Sequence, residues 1–214
     1  MGNPYGDGYY DDFNTAVGLD SAGRTQLHHK GKLVIGVENT PTVIFDLMQF
    51  LVIDLGGVVG QIGMGQHGTA FAHAGMRMGP AICYEGLYGD FYGDFVRRGA
   101  QFMAIISNDG WWGDTPGYKH LFTISRLRAI EHRRAIARSA NTGMSGFISA
   151  RGDIGETLGW EKRGVISAAV PLNSELTFYT RYGDYLGRIS EYLTLLCVLY
   201  YIAYRVKRKN YLVK

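Results

Sequence analysis

The sequence predicts an α/β fold, and two stretches carry this prediction. Residues Phe102 to Ser107 form a nearly continuous apolar run, which is typical of a strand buried on both faces of a sheet. Pro80 to Ile82 form the apolar end of another buried strand, and an amphipathic helix is predicted over Tyr88 to Arg98. Polar loops follow both strands, and such strand ends are where ligands bind in α/β folds.

The composition allows one folded domain and excludes several classes of protein. A length of 214 residues can hold one sizeable core, and 46% apolar against 19% charged residues excludes a disordered chain. The net charge of +3 is too small to indicate a nucleic-acid partner. Cys83 and Cys197 are the only cysteines and lie in very different surroundings, so a disulfide framework is not expected.

The first third of the chain predicts a hairpin, a helix and a loop. Alternation in Phe13 to Leu19, turn residues at 20–23 and a return over Arg24 to His28 indicate a β-hairpin. A helix is predicted over Thr42 to Val52, with proline in its first turn. The glycine-rich loop from Ile53 to Gly68 lacks both nucleotide-binding fingerprints, so a mobile loop near a site is the better interpretation. Two strands, Thr69 to Ala72 and Arg77 to Ile82, follow around a turn.

The middle of the chain predicts a long helix and then more strands. Apolar residues at helical spacing favour a helix over Tyr118 to Arg138, with its arginines on a solvated face or in ion pairs. A turn at 141–143 leads to a strand over Met144 to Ala150 and, after a turn at 151–153, to another strand. A further strand is expected over Val165 to Val170.

The segment Ile189 to Val206 is an apolar helix candidate. Its apolar run is shorter than the ~20 residues that a membrane-spanning helix prefers, but flanking tyrosines extend it at the interfaces. The alternative is a buried C-terminal helix. If the helix spans, the basic tail at 207–214 is cytoplasmic by the positive-inside rule, and the domain at 1–188 faces the outside.

Several residues carry candidate chemistry, each beside an ordinary alternative. Cys83 ends a strand and faces a helix N-terminus, which favours a thiolate, although most free cysteines are small buried apolar residues. Glu38 follows two lysines, a pattern that is ordinarily a solvated loop. The loop that contains Trp111 and Trp112 either binds a ligand or is a packed loop that its tryptophans anchor. The histidines have no metal-ligand spacing, and no metal or cofactor is expected.

Several stretches together resemble the nitrilase (carbon–nitrogen hydrolase) superfamily, and within it the bacterial apolipoprotein N-acyltransferases. The matching stretches are His29 to Glu38, Ala81 to Glu85, Ser107 to Gly113, Arg126 to Glu131, Arg138 to Gly143 and Thr180 to Asp184. They occur in family order from about Phe13 to the C-terminus, and the terminal apolar helix fits this branch rather than the soluble amidases. The resemblance implies a nitrilase-like four-layer αββα sandwich with its N-terminal part missing and a C-terminal transmembrane helix.

The same resemblance implies a Glu-Lys-Cys site. Cys83 matches the nucleophile and Lys30 the lysine, while Glu38 and Glu85 match supporting acidic positions. The backbone N–H of Tyr84 would join Lys30 in holding an oxyanion. Trp111 matches a position at the acyl-binding mouth, and Tyr84 and Trp112 are expected to bind substrate with it.

The family reaction moves an acyl chain in two steps. A phospholipid acylates the cysteine, and the thioester then acylates the α-amine of a diacylglyceryl-cysteine at a lipoprotein N-terminus, at the periplasmic side of the bacterial inner membrane. No glutamate precedes Glu38, and the family's general-base Glu and N-terminal membrane helices are missing. We therefore expect a C-terminal fragment with little or no activity alone. The alternatives are a soluble-type amidase or carbamoylase, and an inactive remnant.

Overall fold

The computed structural model describes residues 12–34, 38 and 62–212, and this part of the chain folds into two sheets with helices against them. The strands are β1 (Thr15–Leu19), β2 (Thr25–His29), β3 (Phe71–His73), β4 (Met76–Ile82), β5 (Phe102–Ser107), β6 (Ile136–Ala140), β7 (Ser145–Ile148) and β8 (Ile154–Leu158). The helices are α1 (Gly89–Arg97), α2 (Pro116–His132), α3 (Phe178–Tyr182) and α4 (Tyr185–Leu212), and 3₁₀ helices cover Cys83–Leu87 and Gly110–Trp112.

The larger sheet confirms the predicted α/β class. Its strand order is β3-β4-β5-β6-β7-β8; β4, β5 and β6 are parallel, and the outer pairs are antiparallel. Helix α1 connects β4 to β5, and α2 connects β5 to β6. Crossover helices of this kind are what parallel neighbours require.

The smaller sheet is the predicted hairpin. Strands β1 and β2 pair antiparallel, with Thr15 opposite His29. The Asp20 carboxylate accepts hydrogen bonds from the backbone N–H groups of Ala22 and Arg24, both at 2.9 Å, which closes the turn. The hairpin packs on β4 through a small buried cluster of Ala16, Phe71 and Ile82.

The main core lies between the larger sheet and helices α1 and α2. Its buried side chains include Tyr92, Phe95, Val96, Met103, Ile105, Phe122, Ala129, Ile136 and Ile148. Burial alternates along β5, so that Met103 and Ile105 are buried whereas Ile106 is 50% exposed. The expected burial on both faces is therefore wrong for β5, because the described hairpin does not cover Ile106.

The predicted helix over Tyr118 to Arg138 ends earlier, at His132. Arg133 adopts the left-handed conformation with φ 52° and ψ 45°, and its N–H bonds the carbonyl of Ala129 as a helix cap. The chain then turns into β6, where Ile136 enters the core.

The arginines of this segment lie in different environments. Arg126 and Arg133 are exposed, and Arg128 is buried in an ion pair with Glu131, as expected for a solvated face or for ion pairs. Arg134 and Arg138 are buried, which was not expected. Arg134 donates from Nε to the carbonyl of Ala100 and from Nη1 to that of Glu175, at 2.8 and 2.9 Å. Backbone carbonyls at the ends of elements thus replace water around this charge.

The remaining predicted elements divide into three groups. Strands β3, β4, β7 and β8 and helix α1 confirm the predicted order. The expected strand over Val165 to Val170 is wrong, because this segment has no strand partner among the described residues and Val165 is 94% exposed. The predicted helix over Thr42 to Val52 and the glycine-rich loop up to residue 61 lie outside the described residues.

Helix α4 leaves the domain as a long exposed helix. Tyr185 to Arg205 are 21 residues with a mean hydropathy of 1.3, which is long and apolar enough to cross a membrane. None of this stretch is buried within the described chain, so α4 is not the buried core helix that was the alternative.

Candidate active site

Three loops meet at one edge of the larger sheet because β4, β5 and β6 are parallel. Ile82 lies opposite Ile106 and Ser107 lies opposite Ala140, so the three strands end at the same level. The residues that follow them begin the Cys83 segment, the tryptophan loop and the turn at 141–143. Strand ends of this kind are the usual ligand-binding edge of an α/β sheet.

Cys83 opens the 3₁₀ helix Cys83–Leu87, which we term the Cys83 turn. Its backbone has φ 47°, a left-handed conformation that costs a residue with a Cβ of order 1–3 kcal/mol. The side chain is half-buried and forms no disulfide. A strained residue at the end of a strand, with its thiol within reach of solvent, is a reasonable place for a nucleophile.

Glu85 joins the Cys83 turn to the end of the hairpin. Its carboxylate is fully buried and accepts from the backbone N–H of Ile82 at 2.7 Å and from that of Gly31 at 2.6 Å. His28 Nε2 lies 3.1 Å from both carboxylate oxygens. One carboxylate therefore holds together the backbone next to Cys83 and the backbone next to Lys30.

Lys30 and Glu38 form a second buried connection. Lys30 is 1% exposed, and its Nζ lies 2.7 and 2.8 Å from the two oxygens of Glu38. Burial alone would raise the pKa of Glu38, but hydrogen bonds from Lys30, the Val34 N–H and Asn14 outweigh it and hold that pKa below its ordinary value. The pair is thus a positioned ammonium and carboxylate, and not the solvated loop that was the alternative.

The aromatic candidates lie around the same edge. Tyr84 is half-buried and its ring meets that of Tyr88 edge-on, with centroids 5.5 Å apart. Trp111 and Trp112 follow β5 and are 50% and 46% exposed. Exposed indoles at a strand end are consistent with a surface that contacts an apolar ligand.

A buried ion pair behind the tryptophan loop was not anticipated from the sequence. Asp109 is fully buried, and Arg138 Nη2 donates to both of its oxygens at 2.9 Å. Gly143 packs so closely on Asp109 that a Cβ there would overlap the carboxylate. The pair fixes the loop after β5 to the turn after β6. The signal was present as an Asp after a buried strand and an Arg within a later one, but only pairing of β5 with β6 brings them together.

The described residues contain no group of three or more His, Cys, Asp or Glu side chains arranged to hold a metal ion. The charged groups described above instead pair with one another or with backbone N–H groups. The chemistry available at this edge is that of a thiol, an amine, two carboxylates and backbone donors.

The sequence matches known proteins over most of its length. The model of the carbon-nitrogen hydrolase family matches residues 2–176. An apolipoprotein N-acyltransferase of Chlorobaculum tepidum is 36% identical over 181 residues, which are 82% of this chain and 34% of that protein. One from Verminephrobacter eiseniae is 34% identical over 178 residues, 79% of this chain and 32% of that protein. The chain thus spans about a third of the length of these relatives.

Two solved structures share the fold. Nit3 of Saccharomyces cerevisiae, a member of branch 10 of the nitrilase superfamily, aligns with a TM-score of 0.53 and 18% identity, covering 71% of this chain and 51% of that one. A mutant amidase of Nesterenkonia sp. AN1, with acrylamide added at its active-site cysteine, aligns with a TM-score of 0.52 and 16% identity over 82% and 62% of the two chains. These likenesses confirm the nitrilase-type α/β fold.

Proposed function

Because this chain belongs to the carbon-nitrogen hydrolase family, we propose that it carries the thiol chemistry of a lipoprotein N-acyltransferase. The acyl donor is a phospholipid, and the acceptor is the α-amine of the diacylglyceryl-cysteine at a lipoprotein N-terminus. The names of the relatives described above support this class of reaction. The observation that carries the proposal is the Glu85 carboxylate, which joins the Lys30 segment to the Cys83 turn.

In the first step the Cys83 thiolate attacks the ester carbonyl of the phospholipid. A C–S bond forms, the ester C–O bond breaks, and the lysophospholipid leaves as an alcohol after taking a proton. The Lys30 ammonium and the N–H of Tyr84 hold the oxyanion of the tetrahedral intermediate. Glu38 fixes Lys30 and assists the proton transfer, and the 2.7 Å ion pair supports that role.

In the second step the lipoprotein amine attacks the thioester carbonyl. An amide C–N bond forms, the C–S bond breaks and the thiolate returns, while Glu38 accepts the proton that the amine nitrogen loses, which replaces the proton given to the leaving alcohol in the first step. Glu85 takes no part in bond making; it positions the Cys83 turn through the two backbone hydrogen bonds described above. Trp111 and Trp112, half-exposed beside the turn, contact the acyl chain.

A membrane location suits two lipid substrates. We assign α4 as a membrane-spanning helix, with the tail at 207–214 on the cytoplasmic side and the catalytic domain on the periplasmic side of the bacterial inner membrane. The length and apolar character of Tyr185 to Arg205 support this assignment, as does the cluster of Lys207, Arg208 and Lys209 after it.

The proposal is tested by trapping the acyl-enzyme. The chain carrying Cys197→Ala is incubated in vesicles that contain a donor phospholipid, and its intact mass is measured with and without neutral hydroxylamine. The adduct requires a single acylation of Cys83 and no sustained turnover, so a chain with little activity alone can still form it. We expect a hydroxylamine-labile adduct of one acyl chain, which is lost when Cys83→Ala is added.

The acceptor step is tested on the same adduct. A diacylglyceryl lipopeptide with a free α-amine should remove the acyl group and become heavier by one chain, whereas the N-acetylated lipopeptide should not. An adduct that persists without Cys83, or the absence of any adduct, contradicts the proposal. If water alone removes the acyl group from Cys83, and small amides acylate Cys83, the protein is an amidase instead.

A further inference from the structure

Residues Thr177 to Asp184, which we term the elbow, connect the domain to α4. The elbow contains α3, and Thr177 caps it by accepting from the N–H of Thr180 at 3.0 Å. At the other end, Asp184 accepts from the N–H of Gly187 at 2.9 Å, in the first turn of α4. The elbow therefore has a capping hydrogen bond at each end, one at the start of α3 and one in the first turn of α4.

His132 links the elbow to the start of α1. It is fully buried at the end of α2, with Nδ1 2.9 Å from Thr180 Oγ1 and Nε2 3.0 Å from the carbonyl of Gly89. A carbonyl only accepts, so Nε2 carries the proton and Nδ1 accepts from the hydroxyl of Thr180. Burial, reinforced by the nearby Arg128 charge, lowers the pKa of His132 to about 3. The ring therefore stays neutral, and this arrangement holds at physiological pH.

Further contacts hold the elbow on α1 and α2. The Thr177 hydroxyl donates to the carbonyl of Glu131 at 2.6 Å, and Arg97 Nη1 donates to the carbonyl of Thr180 at 3.0 Å. Thr180 itself is fully buried. Gly183 lies directly against the carboxylate of Asp90, and its φ of 67° is a left-handed conformation that favours glycine.

The point of attachment on α1 is next to the Cys83 turn. Gly89 begins α1, and only Tyr88 separates it from the end of the turn. Gly89 is also packed between the Arg128 guanidinium and the Tyr179 hydroxyl, which leaves no space for a Cβ. The chain of contacts from Thr180 through His132 to Gly89 thus runs from the elbow to the start of α1, two residues after the end of the Cys83 turn.

The elbow also presents an aromatic surface. Phe178 is 61% exposed and Tyr182 is 56% exposed, and the Phe178 ring contacts the rings of Tyr182 and Tyr185 at centroid distances of 4.5 and 5.0 Å. These rings lie immediately before the apolar span that starts at Tyr185. Aromatic rings of this kind are enriched at the headgroup level of a bilayer.

We propose that His132 and Thr180 are positioning residues that set the height and orientation of the Cys83 turn above the bilayer. They do so by fixing the elbow to Gly89, so that the thiol stands where the ester groups of phospholipids lie. This inference rests on the proposed function, because it takes the membrane as the source of the acyl donor. Neither side chain contacts the reacting atoms in this proposal.

The test compares two electrophiles on the same thiol. The full chain with Cys197→Ala is reconstituted into phosphatidylcholine vesicles that contain a phospholipid with a bromoacetamido group on its glycerol backbone in place of one acyl ester. In a parallel sample the vesicles lack this lipid and iodoacetamide is added to the water. In each case the thiolate displaces a halide. The rate of labelling of Cys83 is obtained from intact mass measured over time. The measured quantity is the ratio of the lipid-delivered rate to the iodoacetamide rate.

Thr180→Val removes the hydroxyl at constant size, and we expect the ratio to fall by about tenfold, since small misplacements of reacting groups cost this much or more. Thr180→Ser restores the hydroxyl and should restore the ratio. Thr123→Val is the matched control, because the Thr123 hydroxyl bonds only the carbonyl of Lys119 in its own helix among the described residues. An unchanged ratio in Thr180→Val, or an equal fall in Thr123→Val, overturns the inference.

A second variant covers the case in which Thr180→Val does not fold, as far-UV circular dichroism would reveal. Two glycines inserted between Asp184 and Tyr185 leave the buried contacts of Thr180 and His132 intact and loosen only the connection to α4. The ratio should fall here as well, and an unchanged ratio counts against the inference. The labelling ratio does not depend on acyl transfer, so failure of the trapping experiment above would be distinguishable from failure here.

Discussion

At the scale of single residues, the two carboxylates at the candidate site, the buried Glu85 and the half-buried Glu38, have different partners. Glu85 accepts mainly from backbone N–H groups, so it positions segments of chain. Glu38 faces the Lys30 ammonium and keeps it in one place. Removing either carboxylate would leave buried donors without an acceptor, which costs ≈ 1–3 kcal/mol for a neutral group and more for a charged one. The geometry near Cys83 therefore depends on charges that cannot be exchanged for neutral groups at little cost.

The first prediction concerns the thiol and the amine. Lys30→Met keeps the length of the side chain and removes its charge, and it should slow alkylation of Cys83 by iodoacetamide at pH 7 by about tenfold, because a neighbouring ammonium makes a thiol more reactive. Rates are measured by intact mass in the Cys197→Ala chain.

Lys32→Met is the matched control for this prediction. Lys32 is half-buried two residues away, and its Nζ lies over the rings of Tyr88 and Phe91 at 5.4 and 5.3 Å. Equal rates for Lys30→Met and the parent, or an equal loss in both lysine variants, would mean that the amine of Lys30 has no specific effect on the thiol.

At the scale of elements, the end of α2 determines where several charged groups point. The helix ends at His132 because Arg133 takes the left-handed conformation, and the following residues enter β6 as a buried strand. This change of direction sends Arg134 towards backbone carbonyls and Arg138 towards Asp109. A helix continued to Arg138 would have placed these guanidinium groups at helical spacing along one element and left Asp109 without its partner.

The second prediction follows from the cap. Arg133→Gly should stabilise the chain by about 0.5–1 kcal/mol, because glycine adopts the left-handed conformation without the steric penalty of a Cβ. The Arg133 carbonyl keeps its hydrogen bonds, since they do not involve the side chain. The free energy of unfolding is measured by urea titration in detergent.

Lys119→Gly serves as the comparison for the cap, since Lys119 is an exposed residue within α2. Lys119→Gly should lower the free energy of unfolding by roughly 0.5–1 kcal/mol. Destabilisation in both variants would show that the conformation of Arg133 does not limit stability.

At the scale of the whole molecule, α4 and the domain differ in the burial of their apolar side chains. The domain buries a compact core, whereas apolar residues along α4, including Leu193, Leu196 and Tyr200, are 56%, 61% and 74% exposed. An exposed apolar surface of this length is unusual for a protein that stays in water. A lipid bilayer would cover it without any further protein element.

The third prediction tests whether a lipid bilayer covers the apolar surface of α4. The full chain should remain in the membrane fraction after an alkaline wash, and Leu193→Arg with Leu196→Arg should release it, because each arginine near the centre of a span costs ~2.5–3.5 kcal/mol. Val165→Arg adds a charge at a 94% exposed position outside the helix and should leave the chain membrane-bound. Release of the unmodified chain by the wash would contradict a spanning helix.

Local pattern was sufficient for much of the fold and for the types of residue at the site. The hairpin turn, the strand Phe102–Ser107 and the start of α1 follow from residues close in sequence, and so does the exposed apolar helix. The predictions failed where burial in the folded chain overrides the spacing of apolar residues along the sequence. The helical spacing that continued past His132 belonged to a strand, and the strand predicted over Val165 to Val170 has no strand partner in the part of the chain that the structure describes.

The sequence by itself determined the α/β class, the family likeness and the presence of a thiol, an amine and acidic groups in family order. Only the tertiary structure decided that Glu85 holds Gly31 and Ile82 together, that Arg138 reaches Asp109, and that His132 connects Thr180 to Gly89. The physical reason is that the bonds from Glu85 to Gly31, from Arg138 to Asp109 and from His132 to Gly89 join residues 54, 29 and 43 positions apart, and the His132 ring links three segments. Such contacts leave no periodic trace in the chain, because strand pairing and helix packing must first bring the partners together.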